Sequence, residues 1–385
     1  MIEIKLKNKR DSRLLAGHLW AFSNELAELP ETQAGELVRV RRANGEDLGL
    51  AFYNRSSLIS LRLLGEYNRF GAEEIAARIK SAARLRDLVF DARESRRLVF
   101  GESDSMPGLV LDRYNDVIAL QILSAGFERL LPELLQAIKE TFPEVTCIYE
   151  KNESRARLLE GLEEREGTLF GEAPKELIIE ENGLKYSISL EGGQKTGYFL
   201  DQRFNRLFLR KISRGSRVLD CFCNQGGFAL NAAAAGAVKV VGIDVSADAI
   251  EASKVNANLN GLTNASFERA DVFDFLKSAS PDWDVIVLDP PAFAKSKKNV
   301  PEALRGYAAI NRHALRLLNK GGFLATSSCS HHIGEHELYA LILREAARLG
   351  KSLRLVFRGS QPPDHPILAS MPETEYLKFF VFQVV

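Results

Sequence analysis

From residue 195 onward the chain alternates strand-like and helix-like stretches with a regularity that few folds permit. Apolar runs at 216–221, 239–244, 265–270, 283–289 and 322–328 are separated by helical periodicity at 227–236, 247–259, 272–278, 302–318 and 334–349. Parallel strands need long crossovers, and right-handed β–α–β crossovers put helices on both faces of a sheet. The alternation therefore predicts an open, mostly parallel α/β sheet, and two closing runs at 353–358 and 376–385 make it seven-stranded. Four of the runs end on Asp220, Asp244, Asp271 and Asp289, and a fifth on Cys329. Ligands of such sheets bind outside the carboxyl ends of the strands, so these residues form one polar rim.

The rest of the chain sets bounds on what the rim can serve. At 385 residues two or three domains are expected. Basic and acidic residues balance at 51 each, so any nucleic-acid surface must be a local patch. Four cysteines, Cys147, Cys221, Cys223 and Cys329, lack the spacing of a disulfide scaffold. The start has no apolar signal core and no long uncharged run occurs, so a cytoplasmic protein without membrane partners is expected. Cys221-x-Cys223 has no second half, and His331, His332 and His336 lack an acidic partner pattern, so no metal site is expected.

Ahead of the alternating half, residues 1–65 read as short strands around the turn Ala43-Asn44-Gly45-Glu46. Residues 72–90 read as a helix with Ile75, Ile79, Ala82 and Leu85 on one face. Strands at 109–112, 117–123, 147–150, 177–180 and 184–190 and a helix at 130–141 follow, with a hairpin marked by Asn182-Gly183 and an acidic connector over about 153–181. The expected division is 1–70, 71–190 and 191–385.

The rim's chemistry follows from its residue types. The turn Asp220-Cys-Phe-Cys-Asn-Gln-Gly-Gly-Phe228 is neither Gly-x-Gly-x-x-Gly nor a P-loop, so it favours a cationic or hydroxyl-bearing ligand over a diphosphate. Gly226 and Gly227 admit close backbone approach, and Asn224 tolerates a left-handed angle. Asp244 stands where this topology holds a ribose diol, and Asp271 is placed to accept from an adenine amino group or to cap a helix. In Asp289-Pro290-Pro291-Ala292-Phe293 the prolines free carbonyls to accept from a base, and Phe293 offers a stacking face.

Together, Leu219-Asp220-x-Phe222-x-x-x-Gly226-Gly227-Phe228, Gly242-Ile-Asp244, Ala270-Asp271-Val272-Phe273, Asp289-Pro-Pro-Ala-Phe and Ser328-Cys329-Ser330 resemble the class I S-adenosylmethionine-dependent methyltransferases. More narrowly they resemble the bacterial family that methylates carbon 5 of a cytosine in large-subunit ribosomal RNA. Lys195-Thr-Gly-Tyr-Phe-Leu-Asp-Gln-Arg203, Gly17-His-Leu-Trp-Ala-Phe22 and the stretch from Glu102 to Tyr114 extend the likeness over nearly the whole chain. The resemblance implies a Rossmann-like methyltransferase domain behind a small β-rich PUA-like RNA-binding domain and an α+β central domain. It implies S-adenosyl-L-methionine as cofactor, held by Gln202, Asp220, Phe222, Asn224, Gly226, Gly227, Asp244, Asp271 and Asp289. Ribosomal RNA, expected to be the 23S species, would meet Pro290, Phe293 and Lys295. A homodimer stays open.

Cys329 and Asp289 are the expected catalytic pair. Carbon 5 of a pyrimidine is a poor nucleophile until a thiolate adds to carbon 6, and Lys295 and His331 are candidate cations for stabilising that thiolate. Related enzymes often carry a second cysteine in the Pro-Pro loop; here that loop reads Pro-Pro-Ala-Phe, so Cys329 must act alone. Arg203, Arg206, Arg210, Lys211, Arg214 and Arg217 form a basic run suited to phosphates. Two other readings stay open: a same-fold enzyme acting on a guanine nitrogen without covalent catalysis, and a non-catalytic RNA-binding or assembly protein.

Overall fold

The computed structural model describes residues 1–385 except 92–93, 192–195 and 295. The chain divides into two compact units. One is Met1–Leu177 with Ile188–Leu200 and Pro363–Glu375; the other is Ile178–Ser187 with Asp201–Pro362 and Tyr376–Val385. The seam differs from the division expected at residue 190: hairpin 178–187 goes with the second unit, while 188–200 and 363–375 go with the first.

The first unit holds two five-stranded sheets. One runs in the order Glu3–Lys5, Glu36–Arg41, Asp47–Tyr53, Leu61–Gly65, Trp20–Ala21; the other runs Arg165–Gly171, Cys147–Asn152, Val117–Ile122, Leu109–Tyr114, Arg96–Phe100. Helices Ala72–Asp87 and Leu131–Thr141 close the core with Ile75, Ile79, Ala82, Leu134 and Ile138. Leu85 is exposed, and Arg78 and Arg86 are buried in its stead. The expected connector contains a strand, Arg165–Gly171, paired antiparallel to Cys147–Asn152. Its glycines and charges hide the usual alternation. Strand Arg96–Phe100 was also hidden, because two arginines open it; Arg97 is buried there by a two-point ion pair with Asp112 at 2.8 Å. The acids of the 102–114 stretch are structural: Glu102 accepts from Trp20 Nε1 at 2.8 Å, and Asp104 holds Arg86 at 2.7 Å.

In the second unit seven strands are named here β1 (Arg217–Cys221), β2 (Lys239–Asp244), β3 (Ala265–Arg269), β4 (Trp283–Leu288), β5 (Leu318–Ser328), β6 (Leu353–Gly359) and β7 (Lys378–Val384). Their order is β3-β2-β1-β4-β5-β7-β6. The first five pair in parallel, and β7 runs antiparallel to β5 and β6. Helices α1 (Arg203–Ser213), α2 (Gly227–Ala234), α3 (Ala247–Leu259), α4 (Val272–Ser278), α5 (Val300–Leu317) and α6 (Glu335–Arg348) complete the unit. Strand parity sorts the core. Val218, Val285, Val287 and Ala325 pack against α1 and α2, while Leu219, Ile286, Leu288 and Leu324 pack against α5 and α6. The order reverses between β1 and β4, which is the switch point where such sheets bind ligands. Among the described residues no helix is long and apolar enough to cross a membrane.

Candidate active site

Parity also places the rim. Asp220 falls on the Val218 face and so meets the start of α2, where its Oδ2 accepts from the Ala229 N–H at 2.8 Å. The carboxyl is fully buried, and Oδ1 has no hydrogen-bond partner among the described residues. Burial pushes its pKa up to about 8; the Ala229 N–H and Arg206 oppose that rise, and Asp289 and Asp244 add to it.

The turn after β1 is a run of left-handed residues, Phe222 (φ 64°), Asn224 (φ 48°) and Gly226 (φ 83°). Phe222 is the unexpected one, since a bulky residue there costs about 1–2 kcal/mol. Polar residues of α3 hold the turn: Ser253 Oγ donates to Asn224 O at 2.7 Å and Asn256 Nδ2 to Gln225 O at 3.2 Å. Both are buried polar positions on the inward face of that helix, alongside Ile250 and Ala257, a signal that the sequence carried unread. A Cβ on Gly227 would lie 2.6 Å from Arg206 Nε, so this glycine makes room for an arginine of the protein itself.

Asp244, at the end of β2, accepts at Oδ2 from Asn224 N–H (3.0 Å) and at Oδ1 from Ser246 N–H (2.9 Å). Asp271 lies just beyond β3 as the exposed N-cap of α4, accepting from Asp274 N–H at 3.1 Å. An unpartnered buried oxygen on Asp220 and oriented carboxylates at β2 and β3 suit a ligand bearing an ammonium, a diol and an amine. That set of acceptors fits S-adenosylmethionine.

The β4 and β5 ends form the second half. Gln202 Nε2 donates to Asp289 Oδ1 at 2.8 Å, Ser327 Oγ donates to the same oxygen, and Asn205 holds Gln202 Oε1 at 2.7 Å. Asp289 and Ser327 share the α1 face, which is why Gln202 at the head of α1 reaches them. The Pro-Pro loop is tied to the cysteine loop by Ala294 N–H donating to Ser330 Oγ at 3.3 Å. Phe293 packs among Phe222, Phe273 and Tyr307, with ring centroids 6.4, 6.0 and 4.7 Å away. Pro290 is buried. Cys329 is half-buried, whereas Cys147, Cys221 and Cys223 are fully inside; burial pushes the Cys221 and Cys223 thiols well up. Lys295 lies outside the described residues.

The basic run needs correction. Arg203 and Arg206 are buried and face Glu181, itself fully buried, at 3.5 and 2.8 Å. They anchor hairpin Leu177–Glu181/Leu184–Ile188 to α1 and do not face solvent; Lys211 and Arg214 do. Among the described residues no cluster suited to a metal ion occurs.

A model of the S-adenosylmethionine-dependent methyltransferases matches residues 96–382, and a PUA-like domain model matches residues 4–65. The chain is 39% identical to ribosomal RNA large subunit methyltransferase I of Tolumonas auensis and to the protein of that name from Vibrio cholerae, in each case over 99% of both chains. Its fold matches a Streptococcus mutans structure described as a SAM-dependent methyltransferase (TM-score 0.85, 22% identity) and a methyltransferase complexed with SAH (TM-score 0.87, 23% identity), each over 100% of both chains. A strand order that reverses beside an acid-lined turn and a family match spanning most of the sequence agree: this chain belongs to the S-adenosylmethionine-dependent methyltransferase family, in the group of the ribosomal RNA large subunit methyltransferase I proteins.

Proposed function

We propose that the protein methylates carbon 5 of a cytosine in large-subunit ribosomal RNA, with Cys329 as the covalent nucleophile. The observation that carries this reading is the contrast among the cysteines. Three are buried, and the fourth stands half-buried at a strand end, in a loop tied to the Asp289-Pro-Pro loop. The names of the relatives, which cover the chain end to end, support ribosomal RNA as the substrate class.

Asp220, Asp244 and Asp271 would hold the cofactor's ammonium, ribose and adenine, with Phe222, Asn224, Gly226 and Gly227 shaping the turn beneath it. When bound, the cofactor supplies an electrophilic methyl group. On the protein's side, the Cys329 thiolate forms a bond to carbon 6 and pushes electrons toward carbon 5, making it nucleophilic. Asp289, its Oδ1 fixed by Gln202 and Ser327, accepts from the base's amino group and orients the ring, as does the Pro290 carbonyl. Once carbon 5 carries the methyl group, its proton passes to water, and the C–H electron pair re-forms the 5,6 double bond as Cys329 leaves carbon 6 as the thiolate. The first unit would hold the RNA while the second carries the chemistry.

The test is Cys329→Ala assayed on ribosomal RNA, with nucleosides identified by mass spectrometry. The expected result is loss of 5-methylcytidine with binding of S-adenosylhomocysteine unchanged. Full turnover in that variant, or methyl groups found on guanine, refutes the covalent carbon 5 reading.

A further inference from the structure

We propose that Lys378 is the positioning residue that holds Cys329 in its reactive, deprotonated form; this rests on the reading of Cys329 as the nucleophile. Lys378 opens β7, a strand that otherwise reads Phe-Phe-Val-Phe-Gln-Val, and it is only 8% exposed. A lysine is seldom buried unless its ammonium has a task or a partner. Across the ladder it sits opposite Ser328, the residue before Cys329. Its Nζ donates to the carbonyl of Ser330, the residue after, at 2.6 Å. The side chain therefore runs alongside the 328–330 segment, which contains Cys329, and sets a positive charge against the Ser330–His331 peptide at its end. A thiolate is favoured by a nearby cation, and no second cysteine stands in the Pro-Pro loop to share the work.

Among the described residues, titratable groups around this loop include Asp289 beyond β4, Tyr307 on α5, His331 and His332 in the loop, and Tyr376 just ahead of β7, whose hydroxyl donates to Asp201 at 2.7 Å. Asp289 and the two phenols do not favour an anion. His331 was the cation expected from sequence. Its surface is largely open, yet the chain packed around it, then the Lys378 charge, then His332, hold its pKa below the ordinary histidine value. That shift disfavours its charged form, and the hydrogen bond to Ser330 sets the Lys378 ammonium against the same loop.

The experiment follows alkylation of Cys329 by iodoacetamide over roughly pH 5 to 10, read on the Cys329 peptide so that the three buried cysteines do not contribute. Lys378→Met is expected to raise the apparent thiol pKa by about one unit, read as a displacement of the whole pH–alkylation curve toward higher pH. Lys378→Arg should restore most of the reactivity, and His331→Ala should leave it unchanged. Binding of S-adenosylhomocysteine checks that each variant is folded. If Lys378→Met does not bind, Lys378→Gln, which keeps a donor for the Ser330 carbonyl without the charge, decides on the same criterion. An unshifted thiol pKa in a folded, uncharged variant overturns the proposal, as does a shift produced by His331→Ala instead. Failure of the nucleophile reading looks different: Cys329→Ala would keep turnover whatever the thiol titration shows.

Discussion

Asp220→Asn tests the electrostatics of the cradle. Folded, the Asp220 carboxyl has its pKa raised to about 8 by burial, while in the unfolded chain it titrates near ~3.9. Between those values the folded state binds one proton more than the unfolded state. Stability from this group is therefore fully present below the unfolded pKa and falls by about 1.4 kcal/mol per pH unit until the folded pKa is reached. Asparagine has nearly the same shape, keeps an acceptor for the Ala229 N–H and never ionises. The variant's advantage should thus grow by roughly 2–3 kcal/mol between pH 5 and 7 and level off above pH 8. Urea unfolding followed by tryptophan fluorescence measures it, because Trp20 lies in the first unit and Trp283 in the second. Trp20→Phe in both proteins leaves Trp283 as the reporter. A stability difference that stays flat from pH 5 to 8 refutes the reasoning.

The same group predicts that S-adenosylhomocysteine binding at pH 7 releases close to one proton, since the ligand's ammonium favours the carboxylate; affinity should rise with pH toward 8. Calorimetry in two buffers of different ionisation enthalpy counts that proton, and Asp220→Asn should abolish it. Gly227→Ala puts a Cβ 2.6 Å from Arg206 Nε in a buried ion pair, so a loss of about 1–3 kcal/mol is expected in thermal or urea unfolding. Arg97→Ala leaves Asp112 fully buried without its two-point partner and should cost about 3–5 kcal/mol, read from the Trp20 transition of the first unit.

Much of the second unit was legible because its signals are local. The periods of two and 3.6 mark strands and helices, and helices 247–259 and 272–278 fall on the residues expected. The cradle acids were visible because a parallel sheet must put its strand ends together. What stayed hidden depends on partners distant in sequence. Arg203 and Arg206 look like phosphate ligands until a hairpin residue, Glu181, is found buried against them. The strands at 96–100 and 165–171 carry charges that an alternation rule reads as solvent-facing; Arg97 and Asp112 neutralise each other inside.

The sequence by itself determined the layered sheet, the order of its acids along the rim and the family to which the motifs point. These rest on periodicity and turn chemistry, which act over a few residues. Only the tertiary structure decided which charges face inward, that burial pushes the Asp220 pKa up to about 8, and that a Cβ at Gly227 would meet Arg206. It also decided that Lys378, far along the chain from Cys329, lies against the same loop. Burial and pairing are sums over neighbours from many elements, and no local stretch of sequence contains that sum.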